Sequence, residues 1–455
     1  MSRQDRNKRT ENVLDMTSGS PTALLLSFSL PLVCGNLFQQ AYTFADTVIA
    51  GQKLGVHALA ALGAAEWLTF MMFGLIQGMT QGFSIGVSKY FGTGREDMVQ
   101  KEIFHAFCLS TGGALLFTIS GQMLLAPMLR ILHTPDELFP MTYLYLKILY
   151  MGIPVSFAYN MLAGILRAFG NSAAPLRAMV IASLGNIMLD IILVVWLETG
   201  IAGAAFATVL AQLASAVYCA LALSKIKQAK VERGNRKWSR EMFMEQIKLG
   251  IPMGFQNVIT AVGGLMVQSV VNGFGILFIA GYTAANKLYG LLEIAASSYG
   301  YGISTYTAQN IGAGKKERVR AGLASALKIG CITAALMSLI MVIGGKQILG
   351  LFIKAEQGTA EAALSAGYHF LCVLAVFFPF LYILYILRAC IQGMGNSVMP
   401  MLSSLIQVFM RIVCALWLTR IIGNTGVYWG EVAAWLGADV FLLFFLIRRT
   451  DSGCK

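Results

Sequence analysis

Long apolar stretches separated by short polar breaks run the length of the chain. Apolar windows fall near residues 24–49, 58–88, 103–126, 139–169, 175–197 and 201–224, and again near 244–273, 277–309, 322–345, 361–391, 399–420 and 426–447. Crossing a bilayer takes about 20 residues of helix, so each window predicts one span, and those above about 25 predict tilt or kinks. Only helices and closed barrels satisfy their backbone in lipid. Runs this long and unalternating predict helices. The sixth and seventh windows are separated by a polar, basic connection over 225–240. The expected fold is therefore an all-α integral membrane protein of twelve transmembrane helices. It divides into an amino-terminal lobe (1–224), a cytoplasmic linker (225–240) and a carboxyl-terminal lobe (241–455).

The two halves repeat. Pro31 and Asn36 recur as Pro252 and Asn257, Gly55 as Gly275, and FGTG at 91–94 as IGAG at 311–314. Gly170-Asn171-Ser172 and Pro175 recur as Gly395-Asn396-Ser397 and Pro400. Six spans is an even number, so both halves enter the membrane in the same direction. That predicts two six-helix bundles related by a pseudo-twofold axis along the membrane normal, facing one another across a cleft.

Composition agrees with this solvent. Charged residues make up 12% of the 455 positions and apolar ones 57%, and a soluble domain carries about twice that charge. The net charge of +12 does not point to nucleic acid, because Lys and Arg cluster in the short connections. With the amino terminus placed in the cytoplasm, 24 basic residues fall on the inner side, Arg388 among them, against 5 outside (Lys53, Arg130, Lys346, Lys354, Arg420). Such asymmetry sets orientation and places both termini in the cytoplasm. The expected location is the plasma (bacterial inner) membrane. The eight cysteines are scattered without metal or disulfide spacing, as expected of small apolar side chains. His57, His105, His133 and His369 show no metal spacing either and read as structural.

The chemistry concentrates in the first half. The first span carries Pro31, Asn36, Gln39, Tyr42 and Asp46; the fifth carries Asn186 and Asp190; the sixth carries Thr208 and Gln212 beside Gly203, Ala204 and Ala205. A carboxylate inside a span costs roughly 2.5–3.5 kcal/mol on insertion scales, so it faces a polar cavity and a partner. The pairs Tyr42/Asp46, Asn186/Asp190 and Thr208/Gln212 are each four apart, on one helix face. Small residues on the sixth span let helices approach closely enough for these groups to meet. Oxygen donors of this kind suit a hard cation such as Na⁺, or a proton shared by two acids. Pro31 removes one helix hydrogen bond and marks a point where the first span can bend. At the repeat-equivalent positions Asp46 becomes Val267, Asn186 becomes Arg411 and Asp190 becomes Ala415, so these carboxylates occur in the first half alone. Asn257 and Arg411 remain as cavity candidates in the second half. Arg411 and Lys147 are single basic groups within spans, for which snorkelling or a local partner is the default. Glu66, Glu293 and Lys287 stand between cavity lining and helix pairing.

The chain resembles the multidrug and toxic compound extrusion (MATE) transporters from about Thr17 to Arg449. The resemblance rests on the duplicated twelve-span layout and on an ordered set of motifs. These are LPL…N…Y…FADTVIAGQKLG at 30–55, FGTGRED at 91–97, RAFGNSAAP at 167–175, LGNIMLDIILV at 184–194, GIAGAAFATVLAQ at 200–212, GIPMGFQN at 250–257 and TAQNIGAGKKERV at 307–319. It implies a secondary antiporter, not an enzyme, that exports amphipathic and often cationic compounds against Na⁺ or H⁺ by alternating access. No cofactor beyond that ion, no nucleic acid and a monomer in the bilayer are implied. In the branch with an amino-lobe site, the cation is held by groups matching Asp46, Asn186, Asp190 and Thr208 with the Ala204 carbonyl. A tyrosine matching Tyr42 lies beside the site, and the proline matching Pro31 accompanies straight and bent forms of the first span. The other branch uses acids in spans seven and ten. Here span seven has Thr260 and span ten, FLCVLAVFFPFLYILYILRAC, has no acid, so a carboxyl-lobe cation site is not expected. Two alternatives are a lipid-linked saccharide flippase of the same broad superfamily and an integral membrane transferase. The second lacks any DDxxD, HxxxxD or His-rich motif.

Overall fold

A computed structural model describes residues 13–350 and 359–452. Of the residues used above, the basic positions between 3 and 9, Lys354, Cys454 and Lys455 lie outside it. Among the described residues thirteen α-helices follow one another: α1 (Pro21–Thr93), α2 (Glu96–Ile131), α3 (Phe139–Met151), α4 (Ile153–Ala168), α5 (Ala173–Asp190), α6 (Ile201–Leu223), α7 (Arg240–Val271), α8 (Ile276–Gly312), α9 (Lys316–Gly350), α10 (Thr359–Gly393), α11 (Val398–Val413), α12 (Thr419–Ile422) and α13 (Thr425–Ser452).

The twelve expected spans map onto these helices with two local surprises. Spans one and two form the single run α1, interrupted at Gly55, whose φ of 82° only a residue without Cβ adopts cheaply. At Pro31 the helix keeps its helical backbone. Span four is the pair α3 and α4, bent by 47° around Gly152. Among the described residues, nine helices pass as spans on length and hydropathy alone, or ten with that bent pair. α1 supplies two spans, and α8 completes the set with 37 residues diluted by Lys287, Glu293 and several Tyr, Ser and Asn. Large apolar side chains such as Leu115, Ile119 and Met123 on α2, and Leu336, Leu339 and Ile343 on α9, stand more than half exposed. Such continuous apolar faces suit lipid.

The duplication is written in the backbone. Eight of the nine glycines with positive φ among the described residues occur in repeat-related pairs: Gly55 and Gly275, Gly94 and Gly314, Gly170 and Gly395, Gly200 and Gly423. Asn171 Oδ1 accepts from the Ala174 N–H at 3.0 Å, and Asn396 Oδ1 from the Met399 N–H at 3.1 Å, so both copies of the Gly-Asn-Ser turn are closed in the same way. Widened π-helical turns follow at Ile191–Trp196 after α5 and at Cys414–Leu418 after α11. No disulfide joins the described cysteines.

Two compact units result. The first comprises residues 13–18, Leu30–Gly254 and Ala308–Lys315; the second comprises Gly19–Ser29, Phe255–Thr307 and the residues from Lys316 onward. The first unit has two apolar cores. One gathers Phe83, Ile103, Ile165, Phe169 and Cys219. The other gathers Leu68, Leu146, Leu149, Phe157, Ile201 and Ala205. Where α1 crosses the start of α7, a Cβ on Gly82 would meet the backbone of Leu249 and Gly250, so only glycine permits the approach. The 225–240 segment belongs to this unit. Gln100 Oε1 accepts from the Glu232 N–H at 3.0 Å and from Asn235 Nδ2 at 2.9 Å, and His105 Nε2 accepts from the Ser239 N–H at 2.9 Å. The second unit has an aromatic core: Tyr282 stacks on Phe370, with ring centroids 4.9 Å apart, and Tyr289 on Trp435 at 6.1 Å.

Candidate functional site

All the first-half candidates lie in the first unit, and most converge. α5 carries Asn186 and Asp190 on adjacent turns, 1% and 0% exposed. The helix widens into its π-turn directly after Asp190, a distortion that recurs at functional sites. α1 brings Asp46 to the same place, and the two carboxyl groups lie within hydrogen-bonding reach of one another. A carboxyl pair forms that bond only when one member carries a proton. Each acid also keeps an Oδ1 that is buried and without a hydrogen-bond partner among the described residues.

The neighbours are already committed. Asn186 Nδ2 donates to Asp190 Oδ2 at 3.2 Å and its Oδ1 accepts from the Thr208 backbone N–H at 3.3 Å, the amide orientation that satisfies both sides. The Thr208 hydroxyl donates to the Ala204 carbonyl at 3.1 Å. Tyr42 sits within electrostatic range of both acids, with side-chain hydrogen bonds to Gln39 and Thr43. Gln212 faces α4 and accepts from Ser156. Pro31 and Asn36 are half-buried further up α1.

Tyr145 on α3 was not among the sequence candidates. It is nearly buried and within electrostatic range of Asp46, Asp190 and Tyr42. Its helix offers Thr142 one turn away but no acid or amide, so only the packing of α3 reveals its place.

The second-half candidates belong to the second unit. Arg411, at the position equivalent to Asn186, is buried and ion-paired: Nη2 and Nε lie 2.7 and 3.1 Å from Glu431 Oε2. The local-partner expectation for Arg411 therefore describes it. Asn257 is half-buried on α7. Arg388, counted above as a cytoplasmic boundary residue, is instead buried, with Nε donating to Ser403 Oγ at 2.8 Å and Nη2 to Gln407 Oε1 at 2.5 Å. Glu293 accepts from the Tyr385 hydroxyl. Glu66 and Lys287 are exposed, and Lys147 Nζ lies 5.7 Å from the Tyr143 ring centre. His105 is buried and bonded to backbone at both nitrogens, as a structural histidine should be. Glu431 and Asp439 in span twelve were missed, although the signal was the one that singled out Asp46: an acid inside an apolar run.

The MatE family model matches residues 31–192 and 252–417, one copy in each repeat. Probable multidrug resistance protein YpnP of Bacillus subtilis (strain 168) is 29% identical over 93% of this chain and 91% of its own length. Multidrug export protein MepA of Staphylococcus aureus (strain NCTC 8325 / PS 47) is 26% identical over 93% of both chains. A MATE protein crystallised with MaL6 shares the fold, with a TM-score of 0.90 and 22% identity over 97% of this chain and 99% of that one. Family membership removes the transferase alternative: the chain belongs to the MATE family of membrane transporters.

Proposed function

We propose that the chain is a secondary antiporter that exports amphipathic, cationic compounds from the cytoplasm in exchange for protons. The observation that carries this reading is the facing pair Asp46 and Asp190, each with a buried oxygen that has no hydrogen-bond partner among the described residues. Two ionised carboxylates at this range in a low-dielectric interior repel, so taking up a proton relieves the pair and losing it leaves a site that attracts a cationic compound. Multidrug relatives in Bacillus subtilis and Staphylococcus aureus support the substrate class.

The donor set favours H⁺ over Na⁺. A hard metal cation wants a shell of oxygen ligands. Here Asn186 turns its N–H toward Asp190 and its oxygen toward Thr208, and the Thr208 hydroxyl points at Ala204. Each acid keeps one buried carboxyl oxygen that accepts no hydrogen bond among the described residues, and these two suffice for a shared proton.

Alternating access then follows from opposed preferences. The ionised pair receives the compound from the cytoplasmic side; protons arriving from outside neutralise it, the first span repacks around Pro31, and affinity for the compound falls. Moving a two-state equilibrium from 1:99 to 99:1 takes about 5.5 kcal/mol of differential binding, and linkage makes the effect reciprocal. The charge asymmetry of the connections supports a plasma-membrane protein with both termini in the cytoplasm. Proteoliposomes given a proton gradient or a Na⁺ gradient separately test the reading: export should follow the first. Export driven by Na⁺ alone would overturn the choice of ion, and export driven by neither would overturn antiport.

A further inference from the structure

The second unit holds an acid that neither the sequence resemblance nor the amino-terminal site accounts for. Asp439 lies inside span twelve on α13, is 3% exposed, and has both carboxyl oxygens buried without a hydrogen-bond partner among the described residues. Its helix neighbours Trp435, Ala438 and Leu442 are fully buried.

α13 packs against α10 and α11, and the charged groups these helices bring are committed elsewhere; the Trp435 Nε1–H, one turn before Asp439 on α13, is buried without a partner among the described residues. Arg388 on α10 is the one cation that acts electrostatically on Asp439. Its hydrogen bonds nevertheless go to Ser403 and Gln407 on α11. Arg411 on α11 is bonded to Glu431 on α13 itself. On α8, Glu293 takes the Tyr385 hydroxyl. This cluster thus contains two guanidinium groups and three carboxyls, leaving one negative charge in excess. Asp439 is the acid of this cluster that accepts no hydrogen bond among the described residues. A buried carboxylate without donors costs several kcal/mol to keep ionised, whereas a protonated carboxyl carries no charge to solvate.

We propose that Asp439 is a second proton-binding site, carried by the second unit and separate from the Asp46–Asp190 pair. With the proton bound, Arg388 rests on Ser403 and Gln407. When the proton leaves, the Arg388 guanidinium is the group placed to turn toward the new charge, so proton occupancy is linked to the packing of α10, α11 and α13.

The test is infrared difference spectroscopy on the full chain in liposomes, in an Asp46→Asn/Asp190→Asn background with isotope-labelled aspartate carboxyls. In that background Asp439 is the only aspartate left inside a span, so an isotope-shifted protonated-carboxyl band is assignable without mutating it. The expected result is such a band at neutral pH that titrates away on alkalinisation, is lost on adding Asp439→Asn, and survives Arg388→Gln. Absence of an aspartate band at neutral pH, with Asp439 ionised against Arg388, would overturn the proposal. This readout needs neither transport nor the first acid pair, so it stands or falls apart from the antiport reading.

Discussion

Arg411 offers a quantitative check on the division of labour between the repeats, since it occupies the Asn186 position yet is assigned here to structure. Its guanidinium and the Glu431 carboxylate are both buried, and two N–H groups reach one carboxylate oxygen at 2.7 and 3.1 Å. Removing either partner leaves the other charge buried and unpaired, which costs about 3–5 kcal/mol. Arg411→Met and Glu431→Leu should therefore each destabilise the protein by about that amount. The double variant loses both charges together and should lie within about 1–2 kcal/mol of wild type, because replacing a whole buried pair by apolar side chains is close to neutral. The coupling energy from the cycle is then several kcal/mol, far outside the additivity seen for independent sites. Unfolding in bicelles by steric trapping reads these differences directly. Singles costing under about 1 kcal/mol, or a double variant equal to their sum, would refute the reasoning. Proton-driven export should persist in the double variant.

Three further outcomes follow from the packing and the charge pattern. Gly82→Leu forces a side chain into the backbone of Leu249 and Gly250; overpacking of this kind costs about 1–3 kcal/mol or more, and the yield of folded, monodisperse protein should drop relative to Gly63→Leu, where a Cβ meets nothing within 4 Å. His105→Ala removes the acceptor for the Ser239 N–H, a loss of about 1–3 kcal/mol for the unmet donor, so trypsin should cleave the 225–240 segment faster while the spans stay protected. Single cysteines in a cysteine-free background at Lys53 and Lys230 should react with impermeant thiol reagents from opposite sides of the membrane; labelling from one side would contradict the orientation drawn from the basic residues.

Much of the fold was legible because its causes are local. Apolar length marks the spans, and the Gly-Asn-Ser turns and paired glycines mark the duplication, each doing the same backbone work in both copies. The apolar run 139–169 continues through Gly152, so its length predicted a kink without placing it, although Gly152 and Pro154 stand at the break. In the site, Asp46, Asn186 and Asp190 stood out because a carboxylate in an apolar run needs a reason and the helical spacing supplied a partner. Tyr145 depends on which helix lies opposite α1 and α5, which no short window contains. Arg388 looked like a boundary residue because it ends an apolar run; tertiary packing draws it inward to Ser403 and Gln407. Reading the second half only at positions equivalent to the first hid Glu431 and Asp439.

Export of a fluorescent organic cation from proteoliposomes under an imposed proton gradient, compared between wild type, Asp46→Asn and Asp190→Asn, tests the central claim most directly. Either substitution should abolish the dependence of export on the gradient while the protein still folds and inserts. Undiminished gradient-driven export by either variant would contradict the account.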